Sequence, residues 1–121
     1  MEQHHNYTPR GFHVFCCFYD CRYKYLNNPY RIRHFLKKAI TSAGMHYVKS
    51  TWQTYKPQGV SLTSYITESS INISTYPEHN FLGMQVWSCG EKVDIKKFIK
   101  SIRKILRPKR IIQEKIFIVR F

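Results

Sequence analysis

Three features of the sequence predict an α+β fold, a two-layer sandwich with a mostly antiparallel sheet and two amphipathic helices on one face. Two segments repeat their apolar residues at helical spacing, several others alternate or cluster β-branched and aromatic residues, and turn residues fall between them. The first strand is Gly11 to Tyr19, a short apolar and aromatic run closed by Asp20. Asn27, Asn28 and Pro29 punctuate a turn. From Tyr30 to Ala43, Ile32, Phe35, Leu36, Ala39 and Ile40 share one helical face, Arg31, Arg33, Lys37 and Lys38 take the other, and Gly44 sits where a helix stops. His46 to Tyr55, rich in Tyr, Val, Thr and Trp, reads as a strand, and Pro57-Gln58-Gly59 separates it from another over Val60 to Thr67. Ser69 to Tyr76 alternates Ile71 and Ile73 with Ser70, Asn72 and Ser74, and after the turn Pro77 to Asn80 the segment Phe81 to Cys89 returns beside it. Ile95, Phe98, Ile99, Ile102, Ile105 and Leu106 mark the second helix, with Lys96, Lys97, Lys100, Arg103 and Lys104 facing away until Pro108. Ile112 to Phe121 is the last strand. Residues 1–10 are expected to be a flexible amino terminus and 11–121 a single domain, since 121 residues suffice for one core and not for two. One sheet face is left without cover, which a second copy of the chain would supply.

Composition narrows the function. Hydrophobic residues at 43% are too many for a disordered tail, and no run approaches the ~20 uncharged residues that span a bilayer. The polar start, with His4, His5 and Asn6, has no apolar signal segment, so a cytoplasmic location is expected, with Cys16, Cys17, Cys21 and Cys89 as thiols. A formal charge of +13 favours non-specific attraction to anionic surfaces. No nucleic-acid motif accompanies the charge, so the lysine-rich helix faces read as solvated surface and nucleic acid is not the expected main partner. No Gly-rich phosphate loop or HExxH is present, and Cys16-Cys17-x3-Cys21 lacks a second Cys or His pair, so no metal site is predicted and the first two cysteines read as core residues. His13, in an apolar strand, reads as a hydrogen-bonded core histidine. Carboxylates are scarce, with Glu68 and Glu78 the two near the strand-rich centre.

One segment stands apart: Thr67-Glu68-Ser69-Ser70-Ile71-Asn72-Ile73-Ser74-Thr75-Tyr76-Pro77-Glu78, preceded by Gly59-Val60-Ser61 and followed by Trp87-Ser88-Cys89-Gly90. It resembles the bacterial and archaeal S-adenosylmethionine decarboxylases, whose pattern is Ala-Glu-Ser-His-Leu-Ser-Ile-His-Thr-Trp-Pro-Glu with Gly-Val-Ser before it and Thr-Cys-Gly after it. Upstream, Gly11-x-His13, Phe18-Tyr19-x-Cys21 and Leu26-Asn27 match the family's opening strand and turn at the same relative spacing. The likeness covers roughly residues 11 to 106.

The resemblance implies a self-processing, pyruvoyl-dependent enzyme that decarboxylates S-adenosylmethionine to the aminopropyl donor for spermidine, as a homodimer with active sites near the interface. The serine at the position of Ser69 attacks the carbonyl of Glu68, and loss of the resulting ester leaves a pyruvoyl group on residue 69 that forms a Schiff base with the substrate amine. Cys89 matches the proton donor to the decarboxylated carbon, and a thiol with pKa near ~8.5 can supply that proton. Ser61 matches a serine that assists processing. Tyr55 and Tyr76 match aromatic residues flanking the adenine and sulfonium, and Glu78 is a candidate for the ribose hydroxyls. There are departures. Ser74 replaces the histidine that helps remove the α-proton, Ser70 replaces the histidine after the nucleophile, and Gln85 stands where the family has an acid. A neutral hydroxyl is a poor base beside an imidazole of pKa near ~6.5, and His79 could substitute only if its turn folds back. The alternatives are a pyruvoyl-dependent decarboxylase of ornithine or arginine, an unprocessed non-catalytic paralogue that regulates an active one, or an ordinary strand whose polar face happens to carry Ser69, Ser70, Asn72 and Ser74.

Overall fold

The computed structural model describes residues 10–89 and 94–120. Among these, six strands form one antiparallel sheet: β1 (Arg10–Tyr19), β2 (Tyr47–Thr54), β3 (Val60–Ile66), β4 (Ser69–Tyr76), β5 (Phe81–Cys89) and β6 (Arg110–Arg120), in the order β2-β3-β4-β5-β1-β6. Helices α1 (Pro29–Ser42) and α2 (Ile95–Leu106) pack against one another and share the core with the sheet. This is the expected α+β sandwich with the expected elements. The expected amino-terminal segment lies outside the described residues except for Arg10, which pairs with Arg120 as the first residue of β1.

The period-two pattern decides which face is buried. In β4, Ile71, Ile73 and Thr75 point inward and Ser70, Asn72, Ser74 and Tyr76 outward. β3 and β5 obey the same rule, burying Val60, Leu62, Ser64 and Ile66 in one and Leu82, Met84, Val86 and Ser88 in the other. Against these lie Ile32, Leu36 and Ile40 of α1 and Phe98, Ile102 and Leu106 of α2, all fully buried. Ser64 avoids an unpaired buried hydroxyl through a chain, bonding Ser50 at 2.6 Å, which in turn bonds the Tyr47 hydroxyl at 2.8 Å.

Cysteine placement departs from expectation in one case. Cys16 and Cys21 are buried, and burial pushes each thiol up to about 12, so both stay protonated near neutral pH. Cys17 is not in the core: alternation along β1 turns it to the open face with His13 and Phe15. His13 likewise sits half-buried on that face, not in the core. Its ring stacks on Trp87 at 3.9 Å, and its Nε2 lies 3.4 Å from the Gln85 side-chain oxygen.

Helix ends follow the local chemistry. Asn28 is the cap of α1 and not merely a turn residue, because its side-chain oxygen accepts from the amides of Tyr30 (2.9 Å) and Arg31 (3.2 Å), with Pro29 in the first turn. At the other end Gly44, at φ +80°, lets the Gly44 amide reach the Thr41 carbonyl and the Met45 amide reach the Ile40 carbonyl. Asp94 caps α2 through the Lys97 amide at 3.0 Å. Asn28→Ala is expected to destabilise the protein by about 1 kcal/mol, read as a lower urea midpoint with an unchanged slope.

Candidate active site

The residues singled out in the sequence separate into two groups at opposite ends of β4. At its carboxyl end, Tyr55, Ser61, Ser74, Tyr76 and Glu78 line a cavity of about 320 Å³ whose wall also includes Gln58, Gly59 and Thr75. Register places Ser61 directly across from Ser74, and Ser74 across from Gly83 on its other side. Because Gly83 has no side chain, the Phe81 ring lies over it, 3.3 Å from where a Cβ would stand, and Ser74 is left exposed. The Tyr55 hydroxyl donates to Ser61 Oγ at 3.1 Å, which leaves the Ser61 proton to be offered elsewhere. Tyr55 and Tyr76 are about half exposed, 51% and 50%, so their rings border the cavity without filling it.

The loop carrying Tyr55 is held from several sides. The Tyr55 amide donates to the Gly59 carbonyl (2.9 Å), and the Gly59 amide donates to the Asn27 side chain (2.8 Å). The Tyr23 hydroxyl donates to Gln58 (2.8 Å), and the Val60 amide to Thr75 Oγ1 (3.0 Å). Gly59 adopts φ +117°, which a side chain would strain. Tyr23 carries no signal in the sequence, and Asn27 stands there only as a turn residue within the Leu26-Asn27 match; its role in holding Gly59 depends on a contact 32 positions away along the chain.

At the amino end of β4 are Glu68 and Ser69. Ile66 pairs with Ser69, so Thr67 and Glu68 form a two-residue connection between β3 and β4, with the Thr67 amide held by the His46 carbonyl at 3.0 Å. Glu68 is exposed and adopts φ +63°, a left-handed conformation that side-chain-bearing residues enter only at a cost. Ser70 pairs with Trp87, and continuing that register brings the backbone of Cys89, which pairs with Gly11 on its other side, level with Glu68.

Ser74 stands five residue steps along β4 from Ser69, which at strand rise is about 17 Å. Within one chain the structure therefore brings together Tyr55, Ser61, Ser74, Tyr76 and Glu78, and separately Glu68, Ser69 and the Cys89 backbone. His79 ends the 3-10 turn Pro77–His79, exposed, and does not line the cavity that Ser74 lines. Between the two groups the open face carries Thr63, Asn72, Gln85, Trp87 and His13. Thr63 donates to the Asn72 side-chain oxygen at 2.7 Å.

This sheet and helix layer is the fold of a decarboxylase. The crystal structure of the adenosylmethionine decarboxylase from Aquifex aeolicus superposes with a TM-score of 0.78 at 23% identity, covering 93% of this chain and 91% of that one. The family model described as S-adenosylmethionine decarboxylase matches residues 12–117. S-adenosylmethionine decarboxylase proenzymes of Thermosipho melanesiensis and Thermotoga maritima are 34% and 35% identical over 101 residues, 84% of this chain and 78% of each relative. The chain belongs to the S-adenosylmethionine decarboxylase family, a family of enzymes.

Proposed function

We propose that this protein decarboxylates S-adenosylmethionine to the aminopropyl donor for spermidine, after cutting its own chain between Glu68 and Ser69. The observation that carries the reading is the pair of groups at the two ends of β4: a hydroxyl-lined, tyrosine-bordered cavity at one, and at the other the exposed, left-handed Glu68 that closes the Thr67-Glu68 turn directly before Ser69. The names of the relatives support the substrate.

The turn suits the formation of a pyruvoyl group. Ser69 follows a bond in a two-residue connection outside the core, so the chain can part there without opening the apolar layer. Ser69 Oγ adds to the Glu68 carbonyl carbon, the C–N bond breaks as nitrogen takes a proton, and an ester results. Removal of the Ser69 α-proton then expels the Glu68 carboxylate and leaves a dehydroalanine at residue 69. Its enamine tautomerises to an imine, water adds to the imine carbon, and ammonia leaves to give the ketone. The pyruvoyl group left on residue 69 supplies a ketone that takes the substrate amine and accepts the electrons left by departing carbon dioxide. Ser61, with its proton directed away from Tyr55, is assigned to the oxyanion at the Glu68 carbonyl. Cys89 is assigned the return of a proton to carbon, Tyr55 and Tyr76 the adenine and sulfonium, and Glu78 the ribose hydroxyls.

These roles require two copies of the chain. Ser61 and Ser74 lie about 17 Å from Ser69 along the sheet, too far for any hydrogen bond. A second copy laid against the open face with its strands reversed would bring the cavity of one chain to the turn of the other. That face suits burial: β3, β4 and β5 carry no charged residue, and Trp87, Tyr65 and Phe117 are exposed on the sheet. The reading is thus of a homodimer with two composite sites.

Carboxyl-labelled S-adenosylmethionine should release labelled carbon dioxide. Tyr76→Ala should raise KM about 2- to 30-fold with little change in kcat, because a cation–π contact of roughly 0.5 to 2 kcal/mol is made in ground and transition state alike. Carbon dioxide from ornithine or arginine and none from S-adenosylmethionine, with Tyr76→Ala silent, would sink the adenosyl assignment.

A further inference from the structure

We infer that the outer surface of the helix layer binds the phosphate backbone of a nucleic acid. Neither α1 nor α2 contains a single acidic residue, and both turn their cations outward. The C-terminal end of α1 meets the N-terminal end of α2, where the Asp94 amide donates to the Ala43 carbonyl at 3.1 Å. Two open cavities of about 470 Å³ each flank this contact, one walled by Lys96, Lys97, Lys100 and Lys104, the other by Lys37, Lys38 and His34. The cavities adjoin at a hydroxyl pair, Ser42 Oγ to Ser101 Oγ at 2.8 Å, so lysines from two helices face a shared polar floor.

The arrangement goes beyond ordinary solvated lysines in two respects. Among the described residues none of these cations is ion-paired. The one carboxylate lining the groove among the described residues, Asp94, turns an oxygen to the Lys97 amide. Like charges gathered in this way repel one another and are relieved by an anion. Charge is also segregated: β3, β4 and β5 carry none, and the helices carry a large share of the +13. Lys96, Lys100 and Lys104 recur every fourth residue along one face, about 6 Å apart, comparable to successive phosphates on an extended strand. The apolar side chains Ile32, Phe35, Leu36, Ile40, Phe98 and Ile102 are turned into the core, and the exposed Tyr30 ring stands at the far end of α1 from the groove, so the groove itself offers a bilayer nothing to insert, which favours a polynucleotide. Because the open sheet face is the one proposed to pair, this surface stays outward in the dimer.

The test is fluorescence anisotropy of a labelled single-stranded oligouridylate between about 50 and 200 mM salt. Binding should weaken steeply with salt. Lys38→Gln with Lys100→Gln and Lys104→Gln should lower affinity at least about tenfold at the lower salt and reduce the salt slope by about 2, three contacts at about 0.7 each. Lys49→Gln with Lys56→Gln and Lys109→Gln removes the same charge elsewhere and should change affinity less than about threefold. Equal losses in the two triple variants would overturn the assignment. So would the absence of saturable binding at low salt, or capture by phosphatidylserine vesicles without binding to the oligonucleotide. Chain cleavage, followed by mass in the same preparations, should be unaffected by the groove triple.

Discussion

Ser74→His is expected to cut itself between Glu68 and Ser69 about 10² to 10⁴ times faster than the natural chain, whereas Ser69→Ala is expected to stay whole. An imidazole near ~6.5 accepts a proton at neutral pH and a serine hydroxyl does not, so the natural cavity lacks a base for the step that removes the Ser69 α-proton. There is room for the ring. Ser74 is exposed, and although the Phe81 ring covers Gly83 on one side of it, on the Ser61 side it borders an open cavity of about 320 Å³ into which an imidazole can extend. The α-proton step sits beyond the attack by Ser69 Oγ, so Ser69→Ala halts the sequence before any base is needed. Denaturing mass spectrometry over time after purification reads both results, as one mass giving way to two. Equal rates for Ser74→His and the natural chain would show that another group holds the role, and alanine substitution of His79 and of Tyr55 would then find it.

A sharper result is expected when two inactivated chains are produced together. Ser61→Ala alone should be cut slowly or not at all, and Ser69→Ala alone should never be cut. In a mixed dimer the Ser61→Ala chain retains its own Ser69 and meets the intact Ser61 of its partner. That chain, and only that chain, should regain cleavage, and tags of different mass identify it. Failure of the mixed dimer to restore cleavage would place Ser61 and Ser69 in one chain and contradict the 17 Å separation on which the composite site rests, about five residues of strand.

Much of this was legible from periodicity. The alternation of Ile71 and Ile73 with Ser70, Asn72 and Ser74 states the buried and open faces of β4, and the Ile32-Leu36-Ile40 and Phe98-Ile102-Leu106 series state the core sides of the helices. Spacing within a motif is weaker evidence for proximity. Glu68, Ser69, Ser74 and Tyr76 stand close together in sequence, yet a strand carries them to opposite ends of a sheet, which only the pairing of Ile66 with Ser69 and Ser61 with Ser74 makes visible. Cys17 and His13 were misplaced for a related reason. An unbroken apolar run suggests burial on both sides, but here the second side is a half-covered aromatic face that a partner is proposed to complete. The link from Asn27 to Gly59 was hidden because it joins segments far apart in sequence.

The strand order has a further consequence for a chain severed at the β3–β4 turn. One piece would hold β1, α1, β2 and β3, the other β4, β5, α2 and β6, and in the sheet β1 is inserted between β5 and β6 of the other piece. The pieces are interlaced, each strand keeping its ladder partners, so the cut would leave a two-subunit complex that cannot part without dismantling the sheet. Renaturing it from denaturant would then be a bimolecular event, with a half-time that shortens as protein concentration rises, whereas the uncut chain refolds on itself at a rate independent of dilution.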